Sequence, residues 1–418
     1  MRTQQTSLAT PTFDLNLRWG RDVYPELGSG PIRVEPCISE DYFRLEQERI
    51  FQRVWLCVGR VEQVPNWGDY FARDIAGRMV FFVRGRDGVV RGFHNICSHR
   101  GNKIVWDEAG CSRKLTCKFH GWTFDTEGRL KGVPDEKMFA DLRKNEHGLI
   151  PVATDTWEGF IFANLEPNPA ESLSDFLGEY GRRMSDFPYG EMSHCFSYRA
   201  ELNCNWKIAL DAFSEAYHVG VVHRRAFPGQ FSGRLNPLSH LPEVRLYRYH
   251  RSCIVYRNPE FRPPPVAAHI SKFRTSPPEG SCRQPGEELP PDVNPTRSRS
   301  FAFELTGIFP NILLHITYGN WFTHQFSPVA VDKTIWEGRL HLYPPKNAAE
   351  LFSLEALNIM TRNAWLEDTG TMEATQAALG SGVKKYFVLQ DQEILIRHSY
   401  KVIEDFVGYY KGNGTAGA

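Results

Sequence analysis

The sequence predicts an α+β protein in which a compact all-β unit precedes a larger unit, an antiparallel sheet flanked by helices. Three observations carry this reading. Between residues 55 and 165, short runs rich in β-branched and aromatic residues, among them GDYFARDIAG, RMVFFVRG, GVVRGFHNI and EGFIFANL, are separated by Gly- and Asp-containing turns. Residues 171–230 return to helical patterning, in ESLSDFLGEYGRRMSDF and NWKIALDAFSEAYHVGVVH, and strand-like runs then dominate residues 240–345. The stretch 347–411 is helical again, broken near Gly380–Gly382. Strands grouped beside helices, rather than alternating with them, indicate α+β layering.

The remaining segments follow in order. Residues 1–36 are polar with scattered Pro and Gly and read as an arm. The run SEDYFRLEQERIFQRV, Ser39 to Val54, places a Ser and acids ahead of apolar residues at helical spacing and predicts one capped helix. The expected organisation is an arm and helix over 1–54, the β unit over 55–165 and the larger unit over 166–418, in keeping with a chain of 418 residues. Arg257–Ser300 holds ten of the 27 prolines and few apolar residues, so it reads as an exposed excursion from the larger unit.

Composition narrows the function classes. Hydrophobic residues make up 41% and charged residues 23%, ordinary for a globular protein. Lys+Arg and Asp+Glu both count 49, which removes any whole-chain electrostatic case for nucleic acid or anionic membrane. No apolar run approaches a membrane span, and the first twenty residues carry no apolar signal core, so a cytoplasmic protein is expected. Nine cysteines, an odd number without a signal segment, argue against a disulfide framework and direct attention to metal ligation.

Two clusters have metal-ligand character. Cys97-Ser98-His99-Arg100-Gly101 is followed, after seventeen residues beyond His99, by Cys117-Lys118-Phe119-His120-Gly121-Trp122. Each loop brings one thiolate and one imidazole. A Cys₂His₂ set can hold zinc or a [2Fe–2S] cluster. Zinc fingers pair Cys with Cys and His with His and place the histidines on a helix, whereas two mixed loops among strands match a Rieske centre, with two cysteines on one iron and two histidines on the other. Gly101 and Gly121 supply permissive backbone at the loop tips. Cys111, outside both motifs, reads as a buried structural thiol.

The second cluster is Asp211…Glu215-Ala216-Tyr217-His218…His223. On a helix, Asp211, Glu215 and His218 share one face. His218 and His223, five apart, meet at one metal only if the helix ends or distorts near Gly220. Two imidazoles and one carboxylate make the facial triad of non-haem Fe(II) oxygenases.

CSHRG and CKFHGW, followed by this second motif, resemble the Rieske non-haem iron oxygenases, the large (α) subunits of ring-hydroxylating and demethylating systems, over nearly the whole chain. The resemblance implies a helix-grip-like catalytic domain after the Rieske domain, with the cluster held by Cys97, His99, Cys117 and His120. It implies a mononuclear Fe(II) on His218, His223 and Asp368, the last from EDTGTME, with Glu367 and Glu373 as competitors for that place. It gives Glu215 the role of a carboxylate bridging an iron histidine to a cluster histidine of the neighbouring subunit, His120 rather than His99. Many members use Asp at that position. Asp211, Asn205 and Tyr217 are expected around the iron, each with an ordinary reading as a helix-surface or core polar group.

The activity implied is O₂-dependent hydroxylation of an aromatic or other apolar substrate, or oxidative N- or O-demethylation, including quaternary ammonium compounds. Electrons would come from NAD(P)H through a separate reductase, with or without a ferredoxin, because the chain lacks a dinucleotide fingerprint. A homotrimer is expected, with or without a small β subunit. Phe213, Val219, Val222 and the segment Phe309–Leu314 are the apolar candidates for the substrate pocket.

Overall fold

The structure, a computed structural model, describes residues 17–276, 289–290, 292–295 and 297–412. The lead-in contains β1 (Ile32–Arg33) and α1 (Glu40–Glu46), and helical turns continue through Gln47–Phe51. The Ser39 hydroxyl accepts the Tyr42 N–H at 3.2 Å, the cap that Ser before an acidic first turn provides.

The chain divides into two units, Leu45–Gly178 and Met1–Arg44 with Glu179–Ala418. These limits differ from the changes of pattern near 54 and 165. Both fall inside helical segments, which a reading of element boundaries would not choose. One of them has a local physical cause: in α2 (Leu173–Arg183) Gly178 has φ 51° and ψ −133°, so two helical pieces meet at a non-helical residue.

The smaller unit contains β2 (Leu56–Arg60), β3 (Asp69–Ile75), β4 (Arg78–Arg84), β5 (Val90–His94), β6 (Ala109–Cys111), β7 (Leu115–Thr116), β8 (Thr123–Phe124), β9 (Leu130–Gly132), β10 (Pro151–Trp157) and β11 (Phe160–Asn164). Seven strands form an antiparallel sheet in the order β2-β11-β10-β5-β4-β3-β6, and β7-β8-β9 form a second. Phe81, Phe93, Leu115, Trp122, Phe124 and Leu130 pack with Cys97 and Cys117 into one core. Both cysteines of the paired loops are therefore anchored in apolar packing. Cys111 is exposed on edge strand β6 rather than buried, because that short strand has no exposed-side neighbour to cover it.

The larger unit is a seven-stranded antiparallel sheet with helices. Its elements are β12 (His194–Leu202), α3 (Trp206–Ala212), α4 (Val219–Val222), β13 (Glu243–Leu246), β14 (Arg251–Tyr256), α5 (Pro265–Ile270), β15 (Phe301–Ile308), β16 (Ile312–Ile316), β17 (Asn320–Ala330), β18 (Lys333–Leu342), α6 (Ala348–Leu379), β19 (Tyr386–Phe387) and α7 (Ile394–Val407). The strand order is β12-β18-β17-β16-β15-β14-β13, while β19 pairs with β1. Strand β12 lies in a region read as helical; its alternation of half-buried and exposed residues is an edge-strand pattern set by pairing with β18, over a hundred residues later.

Helix α6 is capped by the Asn347 side chain, which accepts the Glu350 N–H at 3.0 Å. Its buried residues Trp365, Asp368, Met372, Gln376 and Leu379 recur at helical spacing along one face. The Pro-rich segment is partly outside the described residues. Its described part is not wholly an exposed loop: it includes α5, and Asn294 and Ser298 are buried and hydrogen-bonded to each other. No helix among the described residues is long and apolar enough to cross a membrane.

Two faces of the sheet carry different chemistry. Alternation places Phe303, Leu305 and Gly307 of β15 on the side where Phe213 and Trp365 pack from the helices, and puts Glu304 on the other. There Glu304, fully buried, receives both Arg183 terminal nitrogens, one at 2.9 Å, and Arg183 also donates to the Asp292 carbonyl at 2.8 Å. The bidentate pair keeps the charge from being stranded, although the Arg183 Nε is buried without a hydrogen-bond partner. Replacing Glu304 by Gln should cost about 3–5 kcal/mol, because it leaves the guanidinium buried and unpaired. The midpoint of urea unfolding would report it, and a shift of under about 1 kcal/mol would show that the pair does not hold α2 to the sheet.

Candidate metal centres

The two cysteine loops are near copies in backbone hydrogen bonding. Cys97 N–H donates to the Asn102 carbonyl and Cys117 N–H to the Trp122 carbonyl, both at 2.8 Å. Gly101 and Gly121 N–H groups return to the Cys97 and Cys117 carbonyls at 2.9 and 3.0 Å. Gly101 and Gly121 have φ 79° and 72°, a conformation that a side chain at either tip would strain. The first loop is clamped at its base by Asn95: Oδ1 accepts the Ile104 and Val105 N–H groups at 2.8 and 3.0 Å, and Nδ2 donates to the Val105 carbonyl at 2.8 Å.

This arrangement pairs the expected ligands by type, with the Cys97 and Cys117 thiols acting on each other. The His99 and His120 rings lie 4.6 Å apart, centre to centre, and His99 stacks on Trp122 at 4.8 Å. Burial pushes the Cys97 thiol up. Burial acts the same way on Cys117, but the Phe119 and His120 N–H groups aimed at its sulfur outweigh it and favour the thiolate. Asn102 Nδ2 also reaches that sulfur, at 3.8 Å. The His99 Nδ1 atom is buried without a hydrogen-bond partner. An unpartnered buried ring nitrogen in a mixed Cys/His set fits a [2Fe–2S] group.

The second site forms where the chain leaves α3. The helix stops at Ala212 with Phe213 as its cap, so Asp211, Glu215 and His218 do not share a helical face. The distortion precedes His218 and is not at Gly220, which lies within α4. His218 and His223 flank that single turn, and their Nε2 atoms come within 3.2 Å. Asp368, on the buried face of α6, sets Oδ1 3.6 Å from His218 Nε2 and 3.4 Å from His223 Nε2. The three donor atoms lie within 4.8 Å of one another.

Each imidazole is held from behind. Glu215 accepts from His218 Nδ1 and from the Tyr217 and His218 N–H groups, the last at 3.1 Å. Glu367 accepts from His223 Nδ1 at 3.0 Å. A carboxylate on each Nδ1 fixes the Nδ1–H tautomer and leaves both Nε2 lone pairs directed toward Asp368 Oδ1. That oxygen is itself buried without a hydrogen-bond partner, so the set fits a divalent iron.

The sequence therefore identified the three converging residues but not the second orienting acid. Glu367 was a competitor for ligation; its position beside Asp368 was the available signal. Glu373 is elsewhere, accepting from the Asn203 N–H and Nδ2 at 2.9 and 3.1 Å. Asn205 caps α3 and ties it to the Val331 carbonyl at 2.6 Å, a structural role rather than a place at the metal. Tyr217 is half exposed and contributes only its N–H. Asp211 points to α7, where the Tyr400 hydroxyl donates to Oδ2 at 3.0 Å.

Of the apolar candidates, Phe213 stacks on His324 at 4.1 Å, and Val219 and Val222 are partly buried beside the histidines. In Phe309–Leu314, Leu313 alone of the β16 residues faces the helices, while Phe309 packs on Phe406 of α7. An aromatic series runs away from His223: Phe227, Phe231, Phe303, His315 and Phe322, neighbouring centres 4.2–5.9 Å apart. Its four phenylalanines are only partly buried. No single spacing in the sequence could announce this series, because sheet pairing assembles it.

Two mixed Cys/His loops in one unit and a two-histidine, one-carboxylate set in the other define a Rieske-type iron protein with a non-haem iron site. Residues 190–409 match the ring hydroxylating alpha subunit (catalytic domain) family and residues 54–146 the Rieske [2Fe-2S] domain. The chain belongs to the ring-hydroxylating alpha subunit family. It is similar to the carnitine monooxygenase oxygenase subunit of Escherichia coli (strain K12), 31% identical over 44% of this chain and 50% of that protein. It is also similar to benzene 1,2-dioxygenase subunit alpha of Pseudomonas putida, 38% identical over 45% and 43%. The matched region thus spans about half the length of these relatives. Among solved structures, naphthalene 1,2-dioxygenase from Rhodococcus sp. has a TM-score of 0.72 at 21% identity, over 93% of this chain and 97% of that one. A quaternary ammonium Rieske monooxygenase gives 0.70 at 17%, over 90% and 96%. At these identities the likeness is one of fold.

Two tests address the iron site. Burial pushes the Asp368 carboxyl up to about 7; His218 opposes this, and Glu215 and Glu367 add to it. Because the folded value lies above the unfolded one, the metal-free protein loses this stabilisation as pH rises through about 7, whereas metal needs the ionised form. Anaerobic Fe(II) titration should therefore show affinity falling about tenfold per pH unit below about 7, and a flat profile would remove Asp368 from the ligand set. Glu367→Gln should weaken Fe(II) binding by about 10–100-fold with the Rieske spectrum unchanged. Unaltered affinity would reduce Glu367 to a surface acid.

Proposed function

We propose that the chain is the terminal oxygenase component of a multi-protein system that hydroxylates an aromatic or other largely apolar organic substrate with O₂. The convergence of both Nε2 atoms on Asp368 Oδ1, in the same chain as the paired Cys/His loops, carries this reading. When bound, the cluster accepts single electrons and the iron supplies the O₂ chemistry. The protein's own contribution is positional. Glu215 and Glu367 keep both rings in one tautomer and orientation, and Phe227 and Phe231 offer an apolar surface beside His223.

In this reading Cys97, His99, Cys117 and His120 hold the cluster, and His218, His223 and Asp368 hold the iron. The free carboxylate capacity of Glu215 serves a second contact, to the cluster histidine His120 of a neighbouring subunit in a closed trimer. Electrons come from an NAD(P)H-dependent reductase or a ferredoxin, in the cytoplasm. Oxidative demethylation of a quaternary ammonium compound is the second reading. It is favoured by Glu at 215, where Asp is common, and by the likeness to a carnitine monooxygenase subunit.

Purified, reconstituted protein should be red-brown, show a mixed N/S-ligated EPR signal on reduction, and carry about three irons per chain. Two irons would indicate an electron carrier, and a colourless zinc protein would end the reading. Glu215→Gln should leave both metals bound and the cluster reducible while single-turnover product formation collapses, and Glu215→Asp should retain part of it. Full activity in Glu215→Gln would remove the bridging role.

A further inference from the structure

The catalytic sheet contains polar atoms that neither the fold nor the iron site uses. Arg251, at 1% exposure, has no hydrogen-bond partner for Nε, Nη1 or Nη2. Its register partner on β15 is Gly307. A Cβ there would stand 2.8 Å from the Arg251 Cζ, so the guanidinium lies across the sheet in the space left by the missing side chain. The row continues through Leu313 to His324 on β17. The guanidinium is thus laid along the face that α3 and α6 cover.

His324 is tied to the same row from the far side. Its Nδ1 accepts the Trp336 indole N–H at 3.1 Å, which leaves the proton on Nε2, and Nε2 is buried without a partner. The ring sits between Phe213, at 4.1 Å, and Trp365, at 4.7 Å. These two residues precede the iron ligands His218 and Asp368 in the chain by five and three positions. Burial holds His324 well below its ordinary value, so the ring is neutral, while Arg251, lowered to about 10, keeps its charge at neutral pH.

Buried donors left unpaired are rare and require a partner. Asp211 lies near enough for its charge to act on Arg251, yet the two form no ion pair and Asp211 Oδ1 is also unpartnered. Asp211 offers one carboxylate, already bound by Tyr400, against five N–H donors arranged for a planar, bidentate acceptor.

We infer that the substrate is an organic acid whose carboxylate is seated on Arg251, with its apolar part along Phe303 and the neighbouring phenylalanines Phe231 and Phe227. This rests on the oxygenase reading and replaces a purely apolar substrate with an amphipathic one. Arg251 would set specificity: a pocket built to pair a carboxylate rejects the neutral analogue because its donors are then stranded.

The test compares benzoate, naphthoate and trimethylammoniobutyrate, each with its own amide, by calorimetric titration into full-length protein loaded at both metal centres. At least one acid should bind on the order of 100-fold more tightly than its amide, and Arg251→Gln should abolish that preference. Arg251→Lys should retain part of it, and it serves as the readout if the Gln variant does not fold. The inference is overturned if no acid exceeds its amide, or if the preference survives in Arg251→Gln, which would make Arg251 an internal counter-charge for Asp211. Three irons per chain with turnover of a neutral compound would reject the acid and leave the oxygenase intact; two irons would reject the oxygenase itself.

Discussion

Two imidazoles can present lone pairs to one point only if something else holds their remaining nitrogens. That constraint organises the catalytic unit. Glu215 and Glu367 occupy the Nδ1 atoms of His218 and His223, and each acid is itself fixed, one by the backbone turn after α3 and the other by the geometry of α6. The long helix, the sheet that supports it and the one-turn spacer between the histidines all serve the same convergence. A shift of α6 by one residue would turn both Glu367 and Asp368 away from the site, since neighbouring helical residues project about 100° apart.

The smaller unit solves its own placement problem by different means. Its ligand loops rely on repetition: the same pair of backbone hydrogen bonds, the same left-handed glycine, the same burial of the cysteine in the core. Loops so short have few ways to vary, which is why their sequence pattern is legible. The Cys-x-His and Cys-x-x-His spacings encode nearly all of the geometry.

The catalytic site was legible only where its parts are close in sequence. His218 and His223 stood out because a one-turn spacer separates them, and Asp368 followed from a family motif. Glu367 could not be distinguished from Asp368 or Glu373 without knowing which side of α6 faces the sheet. The helix expected across Asp211–His218 failed because the peptide after Ala212 turns to bring Glu215 under His218, a side-chain contact that overrides local helical preference. Strand β12 was missed for a related reason: its alternation is polar against half-buried and acquires meaning only from β18. The row from Arg251 to His324 exists only once β14 to β17 are in register, so no window of sequence contains it.

The distance along the chain between the metal's holders has a mechanical meaning. His223 and Asp368 are 145 residues apart by their numbers, and β13 to β18 lie between them. An ion shared by His218, His223 and Asp368 would staple the two ends of a loop that contains most of the sheet, a constraint whose entropic worth grows slowly with loop length. Whatever binds only the folded site adds its binding free energy to the unfolding free energy by mass action. Iron in this protein would therefore be a structural rivet as well as a reaction centre, and stripping it would loosen the same strands that shape the substrate's surroundings.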